Sequence, residues 1–185
     1  MDTKSEYADD QYATFAGGCF WCMEGAFAGM PGVISITSGY TGGISADPSY
    51  EDVCGGETGH TEAIRIVFDP AAVRYEKLLS MFWHNIDPLD DGGQFADRGS
   101  QYRSAVFYHT EEQKIQALAY RNKLDASGRF SRPVTTAIEP AGPFYPAEEY
   151  HQEYFRKNPL RYQNYHHGSG RPVRLAQLWG DESGQ

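Results

Sequence analysis

The spacing of apolar and polar residues changes along the chain and lays out alternating strands and helices. Tyr12–Ala16 predicts a short strand running into Gly17-Gly18, and Phe20–Ala28 a helix stopped by Gly29 and Pro31. Val33–Tyr40 alternates and is β-branched, as a strand does, and Thr61–Phe68 repeats the pattern up to Asp69-Pro70. Leu78, Leu79 and Phe82 fall at helical spacing within Ala72–Asn85. Gln101–Tyr108 and Pro133–Ile138 predict strands. Thr110 and Gln113 form a T-x-x-Q capping box for a helix to about Leu124, and Ala147–Lys157 predicts a helix ended by Asn158-Pro159. From about Leu160 the chain, broken by Gly168, Gly170 and Pro172, is expected to be irregular. This order predicts an α/β (α+β) two-layer sandwich, a mixed sheet with packed helices and a long irregular C-terminal coil. Thr41–Gly59 and Asp87–Ser100, rich in Gly, Asp and Ser, read as long loops, which in compact domains often carry function.

Composition narrows the function classes. With 185 residues, 40% hydrophobic and 14% aromatic, the chain has enough apolar surface for one domain, residues 1–185, with a tail at about 1–11 and the irregular segment at about 160–185. A net charge of -9 argues against a nucleic-acid partner, whose phosphates need Lys and Arg. No apolar run is long enough to span a membrane, and the acidic N-terminus does not resemble a signal peptide, so a cytoplasmic protein is expected. Three cysteines, Cys19, Cys22 and Cys54, are too few and of the wrong parity for a disulfide framework.

The cysteines then become the candidate chemistry. Cys19 stands where a strand meets a helix, behind two glycines. A helix N-terminus there favours a thiolate, and Phe20 and Trp21 can wall the sulfur. These features favour a reactive thiol over a small buried core residue. Cys22 lies one turn on, ~5–6 Å away at i+3, which suits a disulfide. A zinc clamp needs a second ligand pair, and Cys54 with His60 matches no zinc spacing. A thioredoxin-like motif places its tryptophan before the first cysteine, whereas Trp21 lies between the two. A cysteine hydrolase would pair Cys19 with His60 or His151.

On the strand Thr61–Phe68, Glu62 shares a face with Ile64, Ile66 and Phe68. Burial there would raise its pKa and make it a general acid, while a solvated place at the strand's start would not. Tyr50 and Tyr102 sit at loop edges with hydroxyls to donate, Tyr102 on a strand face with Ser104 and Val106. Asp97 reads as a loop cap or turn former, and His166-His167 as solvated residues of the irregular tail.

"GGCFWCMEGAF", "SGYTGG", "PSYEDVCGGETGHTEAIRIVFDP", "DRGSQYRSAVFY" and "FYPAEEYHQEYFRKNP" together resemble the type A peptide methionine sulfoxide reductases, from about Thr14 to Pro159. The resemblance implies an α/β sandwich with a long wrapping coil, forming a single catalytic domain. It implies Cys19 as nucleophile, Glu62 as acid, Phe20 and Trp21 around the substrate methyl group, Tyr50 and Tyr102 on the sulfoxide oxygen, and Asp97 in support. The implied reaction turns methionine S-sulfoxide, free or in proteins, into methionine and leaves a Cys19 sulfenic acid. No metal or organic cofactor is implied. A second thiol then forms a disulfide, which thioredoxin or a similar dithiol reduces. Many relatives carry Gly where this chain has Cys22 and recycle through C-terminal cysteines, but here no cysteine follows Cys54. Cys22 is therefore the expected resolving cysteine. Cys54 is its rival in that role, although its "VCGG" position suggests a structural, packed residue.

Overall fold

The computed structural model describes residues 7–184. Its strands are β1 (Tyr12–Gly17), β2 (Val33–Thr41), β3 (Thr61–Phe68), β4 (Gly93–Gln94), β5 (Asp97–Arg98), β6 (Ser104–Tyr108), β7 (Ala137–Pro140) and β8 (Phe144–Pro146). Its α-helices are α1 (Phe20–Phe27), α2 (Tyr50–Cys54), α3 (Tyr75–Trp83), α4 (Glu111–Ala126), α5 (Tyr154–Lys157), α6 (Pro159–Gly168) and α7 (Arg171–Trp179). Six strands make one sheet in the order β7-β6-β1-β3-β2-β8, and β4 pairs with β5 alone. Only the β6–β7 pair is parallel, so the sheet is mixed, as its pattern predicts.

The sheet has unequal faces. On one, Phe15, Ile64, Ile66 and Val106 pack against Phe27 of α1, Leu78 and Phe82 of α3, Ala117 of α4, and Leu175 and Trp179 of α7. Each large side chain so buried is worth ~1.5–3 kcal/mol. The other face carries a smaller cluster, Ala16, Ala63, Ala105 and Phe107, covered by Ala137, Ala141 and Phe144. Phe15 aligns with Ile64 across β1 and β3, and Tyr40 with Glu62 across β2 and β3. That register places Glu62 on the helix-covered face.

Several expectations need correction. The segment after Leu160 is not coil but the two helices α6 and α7. Its apparent breakers are boundary residues. Pro159 and Pro172 lie in first turns, where a missing N–H is harmless, and Gly170 separates the helices with φ +79. Ala147–Lys157 is not one helix. A 3₁₀ turn, Glu149–His151, is separated from α5 by Glu153 at φ +51, whose N–H donates to the buried carboxylate of Glu24 at 3.0 Å. Tyr102 is in a 3₁₀ turn, Ser100–Tyr102, and not on a strand face with Ser104. β7 starts at Ala137 because the backbone before it bonds elsewhere, Val134 N–H to Asp125 and Thr135 N–H to the Pro88 carbonyl. The loop Thr41–Gly59 contains α2, capped by Ser49, whose side chain accepts from the Asp52 N–H. Of the expected N-terminal tail, residues 1–6 lie outside the described residues, and Asp9–Gln11 form a 3₁₀ turn.

Candidate active site

β1 delivers Cys19 to the first turn of α1. Gly18 turns the chain at φ +81, and a Cβ there would stand 2.6 Å from Cβ of Gln94. A Cβ on Gly17 would meet Met23 Sδ at 2.5 Å, so the Gly-Gly pair lets α1 sit close on the sheet. Cys19 is the N-cap residue of α1, and Cys22 closes the first turn by donating its N–H to the Cys19 carbonyl at 3.1 Å. Both are buried free thiols.

A cavity of about 70 Å³ opens at Cys19, lined also by Phe20, Trp21, Tyr50, Glu62, Asp97, Tyr102 and Tyr165. It thus gathers every expected site residue except Cys22, and adds Tyr165. It is too small for a drug-sized ligand and has the scale of one functional group. Glu62 is 3% exposed and accepts the Phe20 N–H at 3.0 Å. Burial pushes its pKa up to about 8, the Phe20 N–H opposes that shift, and the Asp97 charge adds to it. Of the two sequence readings, the buried one holds, and burial favours the protonated carboxyl of Glu62 at neutral pH.

The aromatic wall is held from behind. Trp21 stacks on Tyr154 with centroids 3.7 Å apart and donates Nε1–H to His151 Nδ1 at 3.0 Å. Tyr50 donates its backbone N–H to Glu148 at 2.9 Å, with its ring against His151. Burial raises the pKa of Tyr50, Tyr102 and Tyr165, which keeps all three hydroxyls protonated at the cavity. Tyr165 donates a hydrogen bond to Asp97 Oδ2. Asp97 therefore caps no loop; its half-buried carboxyl orients Tyr165.

The thiols differ in a way that helix position alone does not convey. Burial pushes the Cys19 thiol up, and the neighbouring Cys22 and Glu62 add to that. Cys22 is drawn down, first by its hydrogen bond with Cys19 and then, against burial, by Arg171 and His166. His166 Nδ1 lies 3.4 Å from Cys22 Sγ. The tail histidines are therefore unlike each other: His167 is exposed as expected, whereas His166 is half-buried against a cysteine.

Other sequence readings fare unevenly. Cys54 is exposed and not packed. His60 is buried between the Gly43 N–H and the Ser45 carbonyl, and His151 serves Trp21, so neither candidate base hydrogen-bonds Cys19. Among the described residues no group of three His, Cys, Asp or Glu side chains could hold a metal ion. No helix among them is long and apolar enough to cross a membrane. Tyr165, His166 and Arg171 were not singled out by any motif, because they follow the last motif, which ends at Pro159.

The family model for peptide methionine sulfoxide reductase matches residues 11–183. The chain belongs to the peptide methionine sulfoxide reductase family. Among methionine sulfoxide reductases, MsrA of Bacillus pumilus is 53% identical over 94% of this chain and 97% of its own. MsrA of Bacillus licheniformis is 55% identical over 92% and 94%. The reduced form of Saccharomyces cerevisiae Mxr1 superposes with a TM-score of 0.77 at 31% identity, covering 85% of this chain and 91% of that one. In this methionine sulfoxide reductase the two-layer α/β core agrees with that likeness.

Proposed function

We propose that this chain reduces methionine S-sulfoxide, free or in proteins, to methionine, with Cys19 as nucleophile, Glu62 as acid and Cys22 as resolving cysteine. The observation that carries the reading is the small cavity at Cys19, where a thiol, a carboxyl that keeps its proton to about pH 8 and three hydroxyls face one space. Phe20 and Trp21 hold the substrate methyl group there, Tyr50 and Tyr102 donate to the sulfoxide oxygen, and Asp97 supports them through Tyr165. The Cys19 sulfur attacks the sulfoxide sulfur while Glu62 protonates the oxygen. The hydroxyl ends on Cys19 as a sulfenic acid, methionine leaves, and the Cys19 proton restores Glu62. Cys22 then displaces water to give a Cys19–Cys22 disulfide, which thioredoxin or a similar dithiol reduces by exchange. No organic cofactor enters these steps. In this reading residues 1–185 are one catalytic domain, and the cytoplasm, with its dithiol reductants, is the location that suits it.

The test is turnover of the separated S and R epimers of a methionine sulfoxide peptide with thioredoxin, followed by peptide mapping of substrate-oxidised enzyme. Activity on the S epimer and a Cys19–Cys22 link are expected. Inactivity on both epimers would end the functional reading. A Cys19–Cys54 link with Cys22 free would end the assignment of Cys22.

A further inference from the structure

The C-terminal helices bring a positive environment to the cysteine that the proposed cycle uses second. Arg171, at the start of α7, is 2% exposed, and among the described residues it has no carboxylate within ion-pair distance. Its guanidinium instead donates to two main-chain carbonyls, Gly17 at 2.7 Å and Asn85 at 2.6 Å, and touches Met23 Sδ at 3.8 Å. Those contacts bracket the thiols, since Gly17 precedes Cys19 by two residues and Met23 follows Cys22. The guanidinium also lies over the Phe95 ring, 4.4 Å from its centroid, and carbonyls, a thioether and a ring face offset only part of a buried charge. Its charge acts on two groups that can become anions, the Cys22 thiol and the Asp97 carboxyl, and draws both down. His166 of α6 completes the environment with Nδ1 at 3.4 Å from Cys22 Sγ, within sulfur hydrogen-bond range.

We propose that His166 and Arg171 hold Cys22 ready as a thiolate, His166 by taking its proton and Arg171 by placing a fixed positive charge beside the pair. This rests on the reading of Cys22 as the resolving cysteine. In the resolving step the Cys22 sulfur attacks the Cys19 sulfenic sulfur; the S–S bond forms and the S–O bond breaks. The departing hydroxide takes up the proton that Cys22 gave to His166, so one water is released and no outside oxidant or reductant enters. Neither group is catalytic toward the sulfoxide. Both are positioning residues that act through Cys22. The C-terminal segment, which carries no cysteine here, thus contributes to recycling by charge.

The groups facing this thiol come from five elements. They are Cys19 at the head of α1, Glu62 on β3, Asp97 on β5, His166 with Tyr162 and Tyr165 on α6, and Arg171 on α7. Glu62 stays neutral to about pH 8 and so does not oppose a Cys22 thiolate below it. Asp97 does oppose it, and is turned toward Tyr165. The balance favours the anion on Cys22, where the depressed thiol pKa also places it.

The test follows disulfide formation after one equivalent of substrate, as a function of pH, in the unaltered enzyme and in His166→Asn. In the unaltered enzyme the rate should persist well below the ordinary thiol range. In His166→Asn the profile should move up by about one unit, a ~tenfold loss of thiolate and rate near neutrality that alkaline pH restores. An unmoved profile, with the Cys19–Cys22 link still formed, would overturn the role of His166 while leaving the proposed function standing. A link that excludes Cys22 in the unaltered enzyme would overturn both. Should His166→Asn not fold, NMR of the unaltered protein decides: the titration of the His166 ring should change when Cys22 passes from thiol to disulfide. An identical titration in both forms would overturn the proposal.

Discussion

The site is assembled from two regions of opposite character. The β1–α1 turn and β3 bring groups that lose protons: Cys19, Cys22 and Glu62. The C-terminal pair, α6 and α7, brings groups that donate hydrogen bonds or carry positive charge: Tyr165, His166 and Arg171. The first region is fixed by the sheet, with Glu62 locked in register opposite Tyr40 and Cys19 set at the end of a central strand. The second is fixed by side-chain hydrogen bonds to backbone carbonyls and by the burial of Leu175 and Trp179. On the proposed function, the bond-making groups lie at the β1–α1 turn and on β3, and the tuning of their protons falls to the helices laid over them. Altering the first region should therefore change chemistry, and altering the second should change stability, ionisation and smaller fractions of the rate.

The largest effects belong to the sheet region. Cys19→Ser should abolish reduction with dithiothreitol as well as thioredoxin, because a serine hydroxyl is a far weaker nucleophile near neutral pH. Appreciable residual turnover in a clean preparation would break the comparison at its root. Glu62→Gln keeps shape without a transferable carboxyl proton and should lower the single-turnover rate ~10²–10⁴-fold. The pH profile gives the sign independently. A raised pKa keeps the acid form below about pH 8, so the single-turnover rate should fall as pH rises through that value, and Glu62→Gln should lack that limb. A loss under about tenfold would make Glu62 a positioning group.

Legibility in the sequence follows the same division. Strand β3 is readable because its alternation is regular, and its bounds are those that the pattern predicts. Parity placed Glu62 with Ile64, Ile66 and Phe68, but not its burial, which depends on α1 packing over the strand. The motif resemblance named the cavity residues, and Gly17-Gly18 marked the turn. The C-terminal helices were illegible for a physical reason. α6 has no buried residue to set a period, and Pro159 and Pro172 read as breakers although they start helices. β8 was missed because it is a three-residue edge strand bounded by Pro143 and Pro146. His166 and Arg171 reach the thiols only through tertiary packing, so no local pattern could single them out.

Arg171→Met tests the second region as a structural support. It removes two donors and leaves the Gly17 and Asn85 carbonyls short of partners, at about 2–4 kcal/mol in total. A lowered urea midpoint with unchanged slope is the expected result. A midpoint shift worth less than about 0.5 kcal/mol would show that water replaces the guanidinium and that α7 is held by Leu175 and Trp179 alone.

Tyr165→Phe sharpens the boundary between the two regions, since Tyr165 is the one cavity residue that α6 supplies. Its hydroxyl donates to Asp97, and its presence beside Cys19 opposes the upward push of burial on that thiol. Phenylalanine keeps the ring against Trp21, where the two meet edge to face at 5.7 Å, so the wall of the cavity persists. What is lost is one hydrogen bond's worth, about 1 kcal/mol, or a ~fivefold slower single turnover. The change should fall on the rate and not on the apparent affinity, because the methyl-facing wall is unaltered. It should also shrink as pH rises, because a Cys19 thiolate formed by alkali no longer depends on that donor. A loss as large as that expected for Glu62→Gln would move Tyr165 from tuning to chemistry, and the division between sheet and C-terminal helices would have to be redrawn.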